Sequence, residues 1–139
     1  MIEPSLVLQS SLRAALIASP EVAALVPADQ INSGWMRPDE LPCINIRDGI
    51  SQMRGRAAGG QFVAFVVLDI HIWALEDGTN SASIIGAAVA HALMQPPQSV
   101  DPRAIITDFK RTRTVWPRDP QPEFGHGVLN VEAAIYWKL

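Results

Sequence analysis

Three histidines, one cysteine and the carboxylates near them are the side chains of this sequence that could support catalysis or metal binding. His71 follows Asp69 at a spacing of two residues, which places both side chains on one face of a β-strand. A zinc ion held by protein needs at least three protein ligands, and the sequence indicates no third one. The pattern therefore favours a structural or surface pair, and we expect no metal site.

The other candidates are isolated residues. His91 lies in an alanine-rich helical segment and is expected to be a partly exposed helix residue. His126 lies between two glycines at the start of a strand, where a turn is favoured. Cys43 has apolar, strand-like neighbours, so we predict a small buried side chain rather than a reactive thiol. Because it is the single cysteine, it also excludes an internal disulfide.

Motifs of the common nucleotide-binding and hydrolytic sites are absent from the sequence. It contains no Gly-Lys-Ser/Thr phosphate loop, no Gly-x-Gly-x-x-Gly after a strand and no Gly-x-Ser-x-Gly elbow. We therefore predict a protein without catalytic residues, without a cofactor and without enzymatic activity. A cryptic enzyme is the least favoured alternative.

Length and composition indicate one domain that has more apolar surface than it can bury alone. The 139 residues suit a single domain over 1–139. Hydrophobic residues make up 48% of the chain, and few charges offset them. No signal peptide is recognised, and the longest helix-compatible apolar stretch, 82–94, is shorter than the ~20 residues that cross a bilayer. We expect a soluble protein made in a reducing cytoplasm, with some surface covered by partners.

The basic residues are mostly arginines and fall into two groups. A net charge of −3 argues against electrostatic binding of nucleic acid by the whole chain. Arginine is enriched at protein interfaces and lysine is depleted there, so this usage favours protein contacts. The later group comprises Arg103, Lys110, Arg111, Arg113 and Arg118, and the earlier one comprises Arg47, Arg54 and Arg56.

Hydrophobic periodicity predicts an α+β fold with a mostly antiparallel β-sheet of about four strands and helices packed on one face. Amphipathic helices are expected before residue 27, with Ser19 and Pro20 starting the second one. Prolines predict an irregular connection over 28–42, in which Trp35 and Met36 pack against the core. The remaining predicted elements are strands over 43–47, 61–74, 103–116 and 128–139, and a helix that ends near residue 94.

A long β-hairpin with a Gly/Arg-rich tip is predicted between the first two strands. Residues 49–60 hold several glycines together with Arg54 and Arg56, so we expect a mobile tip with a positive end. These two arginines are the candidate contacts to partner proteins or to DNA.

The strand over 61–74 has one wholly apolar face and one that is half apolar. A half-apolar face suits contact with a second layer or a neighbouring subunit better than contact with water. For the basic strand over 103–116, a solvated outer face and a charged seam in an assembly both stay open. The candidate subunit-interface residues are Val63, Phe65, Val67, Trp73, Arg111 and Arg113.

Several segments spread over nearly the whole chain resemble the tail-completion, or tail-terminator, proteins of long-tailed bacteriophages, prophages and related phage-like particles. After an amphipathic helix comes Ser-Pro-Glu-Val-Ala-Ala-Leu-Val at 19–26, and the first strand is Leu-Pro-Cys-Ile-Asn-Ile at 41–46. The long strand ends Leu-Asp-Ile-His-Ile-Trp-Ala at 68–74, and the closing strand begins His-Gly-Val-Leu-Asn-Val at 126–131. None of these segments is a catalytic motif, so the likeness depends on their combination.

The resemblance implies a structural virion protein at the head–tail interface, assembled in the bacterial cytoplasm. Such proteins form a ring, expected to be hexameric, which caps the finished tail tube, ends its polymerisation and joins it to the head connector. The implied partners are other copies of the chain, the tail-tube protein and the connector or stopper protein, with non-specific contact to passing DNA. No membrane partner is implied.

Two other functions stay open at this point. Another connector component, such as a head-completion or stopper protein, would share the size and fold class. A small nucleic-acid-binding α+β module would instead show exposed aromatic rings on an open sheet face beside the basic strand. Phe65 and Trp73 could serve there, but Asp69 between them and the acidic total charge argue against it.

Overall fold

The computed structural model describes residues 2–34, 40–76, 80–117 and 123–138. Within these ranges the chain forms two helices, four strands, a third helix and two further strands, with 3-10 turns at Ala28–Gln30 and Ala58–Gly60. The predicted positions of Trp35, Met36 and Arg118 lie outside the described residues. The helices are α1 Pro4–Ala18, α2 Pro20–Ala23 and α3 Ser81–Ala92, and the strands are β1 Ile31–Ser33, β2 Cys43–Ile46, β3 Ile50–Ala57, β4 Gln61–Leu75, β5 Ala104–Val115 and β6 Phe124–Trp137.

The helix boundaries follow from local capping chemistry. Ser19 ends α1 and also caps α2, because its side-chain oxygen accepts a hydrogen bond from the Val22 amide, with Pro20 at the first helical position. For α3, the Glu76 carboxylate reaches over from the end of β4 and accepts a 3.0 Å hydrogen bond from the Ala82 amide. This bond satisfies one of the first amides of the helix and ties its start to the sheet.

The strands form one mixed sheet in the order β1-β2-β4-β6-β5, with β3 paired to the first half of β4. All pairings are antiparallel except β1 with β2, which confirms the predicted fold class. The described chain has two strands more than the sequence predicts. The sequence predicts an irregular connection over the proline-rich stretch 28–42, where β1 lies, and a hairpin tip over the glycine-rich stretch 49–60, where β3 lies.

Strand β4 forms the spine of the sheet, and its two faces differ. Its even-numbered residues from Ala64 to Ala74 are buried, while the odd-numbered ones are only partly buried. The buried face packs against α1 and α3, as the apolar pattern predicted. The largest fully buried side chains of this core include Leu8, Leu12 and Leu16 of α1, Val22 of α2, and Ile31, Ile44, Ile46, Ile70, Ile72 and Ile135 of the sheet.

The predicted hairpin is present as β3 and β4, but its shape differs from the prediction. The turn consists of Ala58–Gly60, where Gly59 and Gly60 adopt positive φ angles, and the arginines lie before it, inside β3. Strand β6 accompanies β4 down to the pair Phe62 and Trp137, so the turn ends level with the sheet. The segment 49–60 was predicted as a tip because glycine content alone does not distinguish a turn from an edge strand.

The second hairpin, β5 and β6, is fixed to the helix side of the sheet by an aromatic side chain. The Trp116 ring lies so close to Gly86 of α3 and Gly127 of β6 that an added Cβ would come within 2.6 and 2.4 Å of it. Glycine is therefore required at both positions for this packing. Among the described residues, no helix is long and apolar enough to cross a membrane.

Candidate assembly surface

The face of the sheet opposite the helices, here called the uncovered face, carries the odd-numbered side chains of β4. Residues directly opposite one another on paired strands share a face, so the register assigns each neighbour. Val63, Phe65 and Val67 lie on this face. Ile50 of β3 lies on one side of them, and Ile105 of β5 lies on the other side, beyond β6. Ile50 is 68% exposed and Ile105 is 54% exposed. Ala134 and Tyr136 of β6 complete this region, the apolar half.

The other half of the uncovered face is a cluster of stacked rings. The Trp73 ring is stacked on His126 at a centroid distance of 4.4 Å and on His71 at 5.2 Å. The guanidinium of Arg47 lies 5.5 Å from the Trp73 ring centroid. The cluster thus joins β2, β4 and β6 through stacking and a cation–π contact.

A hydrogen bond between two imidazoles lies within this cluster. The distance from His71 Nδ1 to His126 Nε2 is 2.8 Å, so one ring donates and the other accepts. Burial lowers the pKa of His71 to about 4, and the positive charge of Arg47 and the second imidazole act in the same direction, while Asp69 opposes them. His71 is therefore neutral at pH 7, as a ring in a shared hydrogen bond should be.

A polar belt separates the two halves of the uncovered face. Asn130 of β6 donates a 2.9 Å hydrogen bond from Nδ2 to the Asp69 carboxylate, and its own amide oxygen accepts a hydrogen bond from the Thr112 hydroxyl. Because the carboxylate of Asp69 is held by an amide, it is already engaged within the sheet. In the described parts of the chain, no three histidine, cysteine, aspartate or glutamate side chains come together as metal ligands.

The two hairpin arginines lie on opposite faces of the sheet. Arg54 extends over the Phe65 ring at 5.4 Å, on the uncovered face, whereas Arg56 extends over the Phe62 ring at 5.3 Å, on the helix side. An irregularity in the pairing between Met53 and Gly55 breaks the simple alternation of β3. Both side chains are exposed, and each guanidinium makes a cation–π contact with an aromatic ring of β4.

The basic strand β5 also has positive charge on both faces. Its register shifts after Thr107 and again after Arg111, so Lys110 and Arg113 lie on the uncovered face, opposite β6. Arg111 points to the helix side, where its Nη1 donates a 2.7 Å hydrogen bond to the Ala90 carbonyl oxygen of α3. The sequence grouped Arg111 with Arg113 by parity, and the bulge at Thr112 separates them.

Five of the six predicted interface residues share the uncovered face: Val63, Phe65, Val67, Trp73 and Arg113. Sequence analysis missed His126, for which it favoured a turn. The alternation of β6 was the available signal, because His126 has the same parity as Asn130, Glu132 and Tyr136, which lie on that face. Cys43 is buried as predicted, and burial raises the pKa of its thiol to about 11.

The fold and this surface together define a small α+β protein whose sheet is covered by helices on one face only. The model of the family "Tail completion protein gp17" matches residues 10–136. The chain therefore belongs to the tail completion protein gp17 family, and it is a structural protein of a phage or phage-like virion tail.

Solved structures agree on the fold. A chain from the virion of a native gene transfer agent particle superposes with a TM-score of 0.76 at 20% sequence identity, covering 94% of this chain and 95% of that one. A second solved chain superposes with a TM-score of 0.51 at 14% identity, covering 94% and 96%. A comparison with the curated proteins gives no match.

Proposed function

We propose that this protein forms a ring, hexameric in the intact particle, that caps the tail tube, ends its polymerisation and joins it to the head connector. The observation that carries the proposal is the apolar half of the uncovered face, where Phe65 and Val67 of β4 lie beside the exposed Ile50 of β3, and the exposed Ile105 of β5 lies beyond β6. Exposed apolar area of this kind is typical of surfaces that another protein covers. Family membership supplies the biological setting of a virion tail.

A ring requires two different, complementary surfaces on each copy, because each copy contacts the next one head to tail. Such a heterologous contact gives a closed ring when the rotation from one copy to the next returns to the first copy. The uncovered face of one copy is one of these surfaces, and the chain has no described helix with which to cover it. The proposal assigns Val63, Phe65, Val67 and Trp73 to the contact between copies. Arg111, which is bonded to α3, has a role within the fold instead.

Tail tubes provide the direct test. Tubes assembled from purified tail-tube protein are incubated with this protein, then supplied with more tube subunits, and their lengths are measured by electron microscopy. We expect a fixed tube length and a ring of density at one end. The variant Phe65→Ser with Val67→Ser should leave tubes growing, and the exposed-site variant Ser10→Ala is the matched control. Unrestrained growth in the presence of the wild-type protein would remove the proposal.

The hairpin arginines are proposed to contact the tube, the connector or passing DNA. Since the turn ends level with the sheet, this contact uses the side chains of β3 rather than a projecting tip. Reversing Arg54 and Arg56 to glutamate should impair head–tail joining and leave the fold intact, because both side chains are exposed. Normal joining by the folded double variant would exclude these residues from the joint.

A neighbouring connector role is distinguished by the partner. A tail terminator co-purifies with tail-tube protein, whereas a head-completion or stopper protein co-purifies with the adaptor on the portal side. One pull-down from a lysate of induced cells, read for both proteins, separates the two roles.

A nucleic-acid-binding function is favoured by one observation. Phe65 and Trp73 lie on the same uncovered face as Arg54 and Arg113, as a stacking platform would require. Against it, the carboxylate of Asp69 lies between the two rings. Titration of the protein with single-stranded DNA and RNA at two salt concentrations decides the matter, because binding to phosphates weakens steeply as salt rises.

A further inference from the structure

Helix α3 lacks the charged outer side that a helix on a protein surface usually has. Its twelve residues include no lysine, arginine, aspartate or glutamate, and His91 is its single ionisable residue. The buried side of the helix, which includes Ile85 and Val89, packs on the sheet. A helix that is apolar on all sides is usually buried on all sides. We therefore expect another layer of protein over the exposed side of α3.

The exposed side of α3 consists mainly of apolar side chains. Ile84 is 50% exposed, Ala87 is exposed one turn later, and Met94, just after the helix, is 61% exposed. These positions share one side of the helix. Trp116, which is 46% exposed, extends this surface because its ring lies against Gly86. We call Ile84, Ala87, Met94 and Trp116 the helix-side patch.

Among the described residues, charged side chains bond to α3 near its two ends. Glu76 accepts a hydrogen bond from an amide of the first turn. Glu21 bonds to His91, and Arg111 donates to the Ala90 carbonyl oxygen, both in the last turn. A partner that covers the middle of the helix therefore need not break these bonds.

The helix-side patch and the uncovered face lie on opposite sides of the sheet. Helix α3 packs on the side that carries the even-numbered residues of β4, and the uncovered face carries the odd-numbered ones. Helices on both faces of one sheet are a stable arrangement, because each element then buries its apolar side. Within one copy, no described helix covers the uncovered face and no described sheet covers the helix-side patch. Each surface can therefore supply the layer that the other lacks.

The two surfaces also match in length. Helix α3 has 12 residues and is about 18 Å long. On the uncovered face, Ile50 and Ile105 are three strands apart and offset by four residue positions, so about 20 Å separates them. The line between them passes Phe65 and Ala134, which are paired. The small side chain of Ala134 leaves room there for an approaching helix.

We propose that α3 of one copy packs across the apolar half of the uncovered face of the next copy, with the helix-side patch in the contact. This inference rests on the proposed ring, and it names the second of the two surfaces that a head-to-tail contact needs. Every sheet in the ring is then covered by helices on both faces. Its own helices cover one face, and α3 of the neighbouring copy covers the other.

Pairing of strand edges is the alternative contact between copies. Among the described strands, β1, β3 and β5 each pair on one side only. Joining two of these edges would extend the sheet and add backbone hydrogen bonds, but it would leave the uncovered face and the helix-side patch in water. Packing of helix on sheet removes both apolar surfaces from water, so apolar burial favours it.

Cysteine cross-linking tests which surfaces meet. The single native cysteine, Cys43, is buried, so introduced cysteines on the surface dominate the reaction. One variant carries Ala87→Cys in the helix-side patch, and the other carries Val67→Cys on the uncovered face. A short bismaleimide reagent should join the two variants in a mixture and should join neither variant to itself. The double variant should give a ladder of bands that ends at the number of copies in the ring. All reactions are run with and without tail tubes.

A charge introduced into the contact tests it without a reagent. Ala87→Glu places a carboxylate in the apolar contact, and we expect at least a tenfold loss of association, because an unpaired charge is costly to bury. The matched control Ala58→Glu places the same group at the exposed hairpin turn and should associate within about twofold of the wild type. Circular dichroism establishes that both variants are folded, and light scattering, with and without tail tubes, measures association.

Cross-links in the mixture, together with the loss in Ala87→Glu, support the contact. If the wild type associates but the mixture gives no cross-links, or if folded Ala87→Glu associates normally, α3 is excluded from the contact while the ring stands. Cross-links within one variant alone would show that like surfaces meet, which excludes packing of α3 on the uncovered face. A wild type that associates neither alone nor on tail tubes excludes both the ring and this contact.

Discussion

Both faces of β4 carry large apolar side chains, wholly apolar on one face and half apolar on the other, but the described helices cover only one face. Ala64, Val66 and Ile70 on one face are fully buried under α1 and α3. Phe65, Val67 and Trp73 on the other are only partly buried and lie on a face that no described helix covers. A large apolar side chain therefore marks a core position on one side of this strand and a contact position on the other. The distinction is made by the helices, which pack on a single face.

The largest effect is expected from truncation in the covered face. Ile70→Ala should lower the free energy of unfolding by ~2–5 kcal/mol, because Ile70 is fully buried and the substitution leaves a cavity. Urea denaturation followed by tryptophan fluorescence measures it. Val67→Ala, on the uncovered face of the same strand, is the control and should cost ~1 kcal/mol or less in the monomer. Equal losses would mean that both faces contribute alike to the fold.

A smaller loss is expected where the second hairpin meets α3. Gly127→Ala places a methyl group against the Trp116 ring, and we expect a cost of ~1–3 kcal/mol for the displaced aromatic packing. The double-mutant cycle with Trp116→Leu is the control, because residues in contact are coupled. If Gly127→Ala costs the same in both backgrounds, the tryptophan does not occupy the gap in solution.

The ring cluster of the uncovered face should make stability depend on pH. The pKa of His71 is lowered to about 4 in the folded protein, below its ordinary value of 6.5. The unfolded chain therefore takes up the proton first, and the free energy of unfolding should fall as pH decreases from 6.5 to 4. We expect ~1–2 kcal/mol, allowing for solvent screening at a half-buried site.

Urea unfolding at several pH values tests this pH dependence. The His71→Gln variant should show a flatter profile, since it has no imidazole to protonate at this position. His91→Gln, which removes a histidine from the exposed surface of α3, is the matched control and should keep the profile. An unchanged profile in His71→Gln would assign the pH dependence to other groups.

The smallest effect on the monomer is expected from the apolar half of the uncovered face. Phe65→Ser should change the free energy of unfolding by ~1 kcal/mol or less, because its ring is only partly buried. The same substitution should abolish association of copies, as measured by light scattering. The conservative Phe65→Leu should keep most of the association. A folded Phe65→Ser protein that still associates would show that the apolar half is not part of the contact between copies.

Local sequence patterns predicted most of the fold correctly. The alternation in 61–74 predicted β4 and its buried face, and the serine and proline at 19–20 predicted the start of α2. The two short or edge strands, β1 and β3, were missed because proline and glycine favour turns locally. Pairing with β2 and β4 overrides that preference, and such pairing joins residues far apart in sequence.

The candidate surface, like the fold, was predicted from the sequence only in part. Parity within β4 was enough to place Val63, Phe65 and Trp73 on one face. It could not place Arg111 and Arg113, because the bulge in β5 moves them to opposite faces, and it could not bring His126 to His71. Those arrangements depend on the register between strands, which no single segment encodes.

The sequence by itself thus determined which residues alternate, where helices begin and how much apolar surface the chain carries. Tertiary structure alone decided which apolar face the helices cover, and it brought His126 beside His71 on the other face. The physical reason is the separation in sequence over which each kind of interaction acts. Capping and periodicity act within a few neighbouring residues, whereas strand register and helix docking are fixed by contacts between distant segments that form together.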